Sequence, residues 1–177
     1  MGIWGAISMG ALAAFVAFKQ KVRSTTFSTL ADAIAPTLLF AQAIGRIGNY
    51  FNGELFGKPS TLPWALSVPA AQRPTGYENF ATFEPTFLYE ALWCLCAGLV
   101  LIYLGRYFLA APGVTFFAYI SLYTLGRTWI ETQRIDTAHR ILGVRLNVWV
   151  SALLFLWSTT LVIRRLARLR DSGLQKG

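Results

Sequence analysis

Long apolar segments alternate with short polar segments along this chain, and the alternation predicts helices that cross a membrane. Each apolar segment has about the length that a helix needs to span a bilayer, and each contains few charged residues. Pro112 and Gly113 interrupt an apolar run that would otherwise be too long for one span. We therefore predict five spans, at residues 1–18, 33–51, 86–105, 113–130 and 146–163.

The positions of the basic residues predict how these spans are oriented. Lys19, Lys21 and Arg23 follow the first span in a short polar loop at residues 19–32. The fifth span is followed by a cluster of arginines, Arg164, Arg165, Arg168 and Arg170. Because Lys and Arg concentrate on the cytoplasmic side of membrane proteins, we expect the N-terminus outside and the C-terminus in the cytoplasm.

Two polar segments are then predicted on the outer side, at residues 58–84 and 132–145. The first contains four prolines and is directly followed by Pro85, a density that opposes a regular helix. We expect an extracytoplasmic loop with short extended pieces, which either covers the bilayer face and helps to admit substrate or is a plain connector. The second is rich in charged residues, which could attract anionic headgroups or an incoming substrate.

Composition supports the membrane interpretation. The chain is 55% hydrophobic and only 14% charged, whereas soluble domains are about 25% charged. Its net charge of +8 does not indicate a nucleic-acid partner, because the basic residues lie at the ends of apolar segments. We predict an all-α polytopic membrane protein, a bundle of about five transmembrane helices with a long extracytoplasmic loop, forming one domain over residues 1–177.

Metal-binding or disulfide chemistry is not indicated by the cysteine and histidine content. Cys94 and Cys96 are two residues apart on a predicted helix, so their side chains point to different sides. We expect both to be small buried hydrophobic residues. His139 is the only histidine and cannot form a metal cluster by itself.

The end of the second span is unusually polar for a membrane helix. Arg46, Asn49 and Gly53 are spaced i, i+3 and i+7, so they share one face if the helix continues. An arginine at the apolar boundary is costly unless an anion meets it. The commonest anion in a membrane is a lipid phosphate, which a guanidinium group binds through two parallel hydrogen bonds. A glycine-rich helix end with an interfacial arginine would leave the neighbouring asparagines and glutamate unexplained.

The fourth span ends in a second polar face. Tyr123, Arg127 and Glu131 are spaced i, i+4 and i+8 and stack along one side of a helix. Arg127 either forms a plain ion pair with Glu131 or takes part in function. Glu90, at the apolar edge of the third span, should face protein or a wet cavity. It is either hydrogen-bonded for structure alone or part of the same site.

Arg46 and Arg127 are both predicted at the outer face of the membrane. Two fixed cations that converge on one phosphodiester would anchor a phospholipid and stabilise negative charge as its phosphate leaves. Asn49 and Asn52 can donate hydrogen bonds to ester or glycerol oxygens. Glu54, Glu90 or Glu131 could orient the arginines or accept a proton.

The polar stretch resembles the signature of the bacterial prolipoprotein diacylglyceryl transferases, Gly-Arg-x-Gly-Asn-Phe-x-Asn-x-Glu-x-x-Gly. It matches from Gly45 to Gly57, with Tyr50 in place of the phenylalanine. Two further segments are similar to the family. The first, at residues 84–90, matches at Pro85, Leu88, Tyr89 and Glu90 and departs from the family at Glu84, Thr86 and Phe87. The second matches at Gly126, Arg127, Glu131 and Arg134.

This resemblance implies a bacterial plasma-membrane enzyme that carries out the first step of lipoprotein maturation. The diacylglyceryl group of phosphatidylglycerol, a membrane lipid, would pass to the thiol of the lipobox cysteine in a prolipoprotein. No metal or organic cofactor is implied, and the chain's own cysteines are not required. Arg46 and Arg127 are the expected catalytic residues, and the expected substrate-binding residues are Arg46, Asn49, Asn52, Glu54, Gly57, Tyr123 and Glu131.

The resemblance also predicts what this chain lacks. Members of the family have two further spans before the first one predicted here, and they often carry a His-Gly-Gly motif where this chain has Trp4-Gly5-Ala6. We therefore expect an N-terminally truncated transferase.

Two alternatives do not involve catalysis. A membrane module or fragment whose arginines bind anions or lipids structurally would bind lipid without transfer. A pure assembly subunit would use Gly53-x-x-x-Gly57 as a packing face, but it would leave Arg46 and Arg127 without partners.

Overall fold

The structure is a computed structural model that describes residues 9–10, 12, 15–16, 18–20, 26–52, 56–107, 111–135 and 139–174. Helices dominate this part of the chain, so the predicted all-α class is confirmed. Four of them are long: α1 (Phe27–Phe51), α2 (Thr86–Tyr107), α3 (Val114–Glu131) and α4 (Leu146–Leu174). The described residues between 9 and 20 are also helical, but most of the predicted span at residues 1–18 lies outside the described residues.

Three of the described helices are long and apolar enough to cross a membrane: α1, α2 and the Leu146–Asp171 part of α4. The predicted span at residues 113–130 is also helical, as α3, but it is less apolar than these three. It contacts each of the other three long helices. Its hydroxyl-bearing and charged side chains can therefore face protein partners instead of lipid.

The boundaries of two helices differ from the prediction. Helix α1 begins at Phe27 because the Thr26 hydroxyl accepts a hydrogen bond from the Thr29 N–H, at 3.3 Å, and so caps the helix. The predicted loop at residues 19–32 was thus too long, and Pro36 lies inside the helix instead of near its start. Helix α4 continues beyond residue 163 to Leu174, so the arginine cluster is helical.

Small side chains bring the first three long helices close together. A core of buried residues joins them, made of Ala35, Leu39, Ala43, Cys94, Ala97, Leu101 and Val114. A β-carbon on Gly98 would lie 2.9 Å from the Phe40 ring, so a larger residue there would force α1 and α2 apart. Cys94 is buried as predicted, but Cys96 is exposed. That prediction was wrong because only one side of α2 packs against the core.

The segment between α1 and α2 is a folded unit. Strand β1 (Leu66–Ser67) pairs antiparallel with β2 (Thr82–Phe83), and a short 3-10 helix (Ala70–Gln72) lies between them. Phe56, Val68 and Phe83 form a small buried cluster beneath the strands. The loop predicted at residues 58–84 therefore contains short extended pieces, as expected.

A second small hairpin precedes α4. Strand β3 (Arg140–Ile141) pairs with β4 (Val144–Arg145) through a two-residue turn at Leu142 and Gly143. Both turn residues have positive φ, 53° and 79°, as the tight turns of such hairpins require. An isolated bridge between Gly57 and Arg134 joins the two non-helical segments. They lie at the same end of the bundle, as predicted.

Candidate functional site

Two arginines from different helices meet on one glutamate. Arg46, near the end of α1, places Nη2 3.0 Å from Oε1 of Glu90, in the first turns of α2. Arg127, near the end of α3, places Nη1 3.2 Å from the same oxygen. The Glu90 side chain is 5% exposed, and the guanidinium-bearing side chains are 22% and 18% exposed. The three groups form a nearly buried charge cluster where α1 ends, α2 begins and α3 ends.

Glu131 extends this cluster on the other side of Arg127. Its Oε2 lies 3.1 Å from Nη2 of Arg127, one turn earlier on the same helix. Its Oε1 accepts a hydrogen bond of 2.8 Å from Nε of Arg145, at the end of β4. The same oxygen accepts one of 3.1 Å from Nδ2 of Asn147, at the start of α4. Arg134 lies farther away, at 3.9 Å. Its side chain has no solvent exposure, so these partners offset the cost of burying its carboxylate.

Arg46 retains hydrogen-bonding capacity despite these contacts. Its Nη2 contacts Glu90 and also donates, at 3.4 Å, to the hydroxyl oxygen of Tyr123. Within the described part of the chain, Nη1 and Nε have no partner. Arg127, in contrast, uses Nη1 for Glu90 and Nη2 for Glu131. Among the described residues, Arg46 therefore has two nitrogens without a partner, Nη1 and Nε, whereas Arg127 has one, Nε.

A polar pair lies one helical turn deeper than Arg46. Gln42 donates from Nε2 to the Tyr119 hydroxyl at 3.1 Å, and the Tyr119 and Tyr123 rings stack with centroids 6.3 Å apart. The side-chain oxygen of Gln42 is buried without a hydrogen-bond partner among the described residues. Sequence reasoning missed Gln42. A polar residue four positions before Arg46, on the same face of an apolar helix, was the available signal.

The other residues of the signature take different positions. Asn49 shares the face of Arg46, and its side-chain nitrogen is buried without a hydrogen-bond partner in the described chain. Asn52 is exposed at the C-terminal cap of α1. Gly57 packs against the segment that leads into α2, where a β-carbon would approach Glu84 and Thr86 to 2.8 Å. Gly53 and Glu54 lie outside the described residues.

The structure adds partners that the sequence did not predict. Arg145 and Asn147 come from the hairpin and the start of α4, and no motif links them to Glu131. Glu90 was one of three glutamates considered for orienting the arginines. Of the two that the structure describes, Glu90 and Glu131, it is Glu90 that contacts both Arg46 and Arg127.

Fold and site together define a helical membrane protein with a charge cluster, rich in arginine, at the ends of its helices. The sequence matches the family model described as prolipoprotein diacylglyceryl transferase over residues 1–164. The chain belongs to this family.

Curated relatives carry the corresponding name, phosphatidylglycerol–prolipoprotein diacylglyceryl transferase. A Cutibacterium acnes relative is 44% identical over 163 residues, covering 92% of this chain and 54% of the relative. The second such protein of Streptomyces coelicolor is 42% identical over 98% of this chain and 57% of the relative. A Paenarthrobacter aurescens relative is 49% identical over 88% of this chain and 51% of the relative. The chain thus spans about half the length of these curated relatives.

Proposed function

We propose that this chain takes part in transferring the diacylglyceryl group of phosphatidylglycerol to the lipobox cysteine of a prolipoprotein, the first step of lipoprotein maturation. The observation that supports this most directly is the convergence of Arg46 and Arg127 on one oxygen of Glu90. Such a cluster binds an anion in an apolar setting, and the phosphodiester of a phospholipid is the anion that this setting supplies. Family membership and the names of the relatives support the same reaction.

In the proposed reaction the cysteine sulfur attacks the glycerol carbon that bears the phosphate ester. A carbon–sulfur bond forms as the carbon–oxygen bond breaks, and glycerol 1-phosphate departs with the bonding electrons. The thiol proton passes to a base or to the departing phosphate. Negative charge grows on that phosphate, and donors already held in place stabilise it most effectively.

The proposed roles follow from the donors that remain available. Arg46 holds the phosphate through Nη1 and Nε, while Glu90 fixes its Nη2. Arg127, held between Glu90 and Glu131, adds the second positive charge. The buried nitrogen of Asn49 donates to a glycerol or ester oxygen, which provides the partner that this nitrogen otherwise lacks. Tyr123 and Glu131 position the arginines. The assignment of Asn52, Glu54 and Gly57 to substrate binding rests on the signature alone.

We further propose that the site lies at the outer face of a bacterial plasma membrane. The arginine cluster at residues 164–170 then lies in the cytoplasm, together with the C-terminus, and the N-terminus of this chain lies outside. This orientation brings the site to the side where a secreted prolipoprotein presents its lipobox.

Transfer of labelled diacylglycerol from phosphatidylglycerol vesicles to a lipobox peptide tests the reaction. One arm uses this chain, and a second uses a chimera that adds the part of the Cutibacterium acnes relative that this chain does not match. We expect thioether formation with release of glycerol phosphate in at least the chimera. A peptide with serine in place of the cysteine is the control. Lipid binding without transfer in both arms would contradict the proposal and favour a non-catalytic lipid-binding module.

A further inference from the structure

Asp32 of α1 binds the first turn of α3, at the end of the bundle opposite to Arg46 and Arg127. One carboxylate oxygen accepts a hydrogen bond from the Gly113 N–H, and the other accepts one of 2.8 Å from the Phe116 N–H. Gly113 is the N-terminal cap of α3, and it has no side chain that could accept these donors. The cap that α3 cannot provide for itself therefore comes from another helix.

Helices α1 and α3 run in the same direction, because their C-terminal ends meet at Glu90 and their N-terminal parts meet at Asp32. Asp32 and Arg46 are fourteen residues apart on α1, and Gly113 and Arg127 are fourteen residues apart along α3. At about 1.5 Å per residue, both separations correspond to a rise of about 21 Å. Alignment at the Asp32 end therefore places the two arginines at the same height.

Two contacts between these ends keep one constant offset, which is one helical turn shorter than the 81 positions between Asp32 and Gly113. The hydrogen bond from Gln42 to Tyr119 and the one from Arg46 to Tyr123 each join residues 77 positions apart. Each partner in the second contact thus lies one helical turn beyond its counterpart in the first. Both are contacts between neutral tyrosine hydroxyls and long side chains, which can follow a small sliding movement. The two short backbone bonds to Asp32 tolerate much less sliding.

We propose that Asp32 is a positioning residue for the site, which sets the axial register of α3 against α1 so that Arg46 and Arg127 share Glu90. It acts about 21 Å from the arginines, at 1.5 Å per residue, and never contacts the substrate. The expected effect of Asp32 on the transfer rate rests on the proposed function. The structural part, the register, is measurable by itself.

The kinetic test compares Asp32→Ala and Asp32→Asn in the transfer-competent protein. Removing both acceptors frees α3 to shift, and a misplacement of about 1 Å at a reacting centre can cost about a hundredfold in rate. We expect Asp32→Ala to lower kcat by about that factor, while KM for phosphatidylglycerol changes much less. Asp32→Asn keeps one carbonyl oxygen and should show an intermediate loss. If Asp32→Ala does not fold, Asp32→Asn decides the comparison.

Pulsed electron paramagnetic resonance tests the register directly. Spin labels are placed at Ile44 on α1 and Leu125 on α3, both exposed positions, in the full chain with Cys94→Ala and Cys96→Ala. We expect the distance distribution to move or broaden by at least the rise of one residue, about 1.5 Å, in Asp32→Ala.

Ser158→Ala is the matched control, because Ser158 is also buried and its hydroxyl bonds Ser121 of α3 at 2.8 Å, but from α4. It should leave the distance between the labels on α1 and α3 unchanged. An unchanged distance in Asp32→Ala, or an equal change in Ser158→Ala, would overturn the proposal. If the parent protein shows no transfer, the proposed function fails, while the label distances still decide the register.

Discussion

At the level of single residues, the chemistry of this protein depends on how charges are kept in apolar surroundings. An isolated guanidinium or carboxylate at membrane depth is costly, so each must have a partner of opposite charge. A single oxygen of Glu90 forms ion pairs with both Arg46 and Arg127. The arrangement leaves Arg46 with unused donors, and this makes it the more informative of the two arginines to change.

Arg46→Lys separates anchoring from catalysis. Lysine keeps the positive charge but loses the planar fork, so it cannot bind a phosphate through two parallel hydrogen bonds. We expect the transfer rate to fall about a hundred- to a thousandfold, the usual cost of losing one preorganised donor to a developing anion. Affinity for phosphatidylglycerol should fall far less. Single-turnover transfer and vesicle binding measure the two quantities. Near-normal turnover would show that Arg46 only docks the lipid.

Glu90→Gln tests how the cluster is stabilised. The change removes the negative charge between two arginines, and breaking a buried ion pair in this way typically costs about 3–5 kcal/mol of stability. We expect a lower melting temperature in detergent, partly restored by phosphatidylglycerol because its phosphate supplies the missing charge. Glu78→Gln, at an exposed position between α1 and α2, is the control and should melt close to the parent. Equal melting of all three proteins would refute the predicted role of Glu90.

At the level of elements, close packing between helices depends on glycines at particular positions. Gly126 of α3 faces Trp93 of α2, and a β-carbon there would collide with the indole ring. Trp93 also donates a hydrogen bond of 2.9 Å to the Leu122 carbonyl oxygen, and this bond ties the two helices together. Gly45 of α1, in contrast, has no atom within 4 Å of the place where a β-carbon would stand.

We therefore expect opposite effects from the same substitution at these two glycines. Gly126→Ala should destabilise the bundle by about 1–3 kcal/mol, since overpacking forces Trp93 out of place. Gly45→Ala should be neutral or stabilising by up to about 1 kcal/mol, because alanine is the better helix former. Thermal unfolding followed by tryptophan fluorescence compares the two. Similar melting temperatures for both variants would show that α2 and α3 are less tightly packed than the structure indicates.

At the level of the whole molecule, the two non-helical segments and the site share one end of the bundle. If that end faces outward, cysteines introduced at Gln72 and His139 should react with an impermeant maleimide in intact cells. Cysteines at Lys19 and Arg168 should react only after the membrane is opened. All four positions are exposed in the structure, and Cys96→Ala removes the exposed native thiol. The reverse labelling pattern would overturn the predicted orientation.

Much of this architecture could be predicted from local properties of the sequence. Hydropathy and the positions of proline and glycine predicted the helical segments at 33–51, 86–105, 113–130 and 146–163 to within a few residues at most ends. Helical spacing placed Arg46 with Asn49, and Arg127 with Glu131. These predictions succeed because apolar length and helical periodicity act within one segment and need no knowledge of its neighbours.

Only the tertiary structure decided which groups meet. Helical spacing does not reveal that Glu90 contacts both arginines, because that depends on the axial register of three helices. Arg145 reaches Glu131 from the hairpin before α4, and Asn147 reaches it from the start of α4. Asp32 caps a helix that begins 82 residues later. The sequence by itself therefore determined the helices and the residues whose side chains are able to bind a phosphate. Packing between helices determined which of these residues contact one another, because ion pairs and caps depend on distances in space.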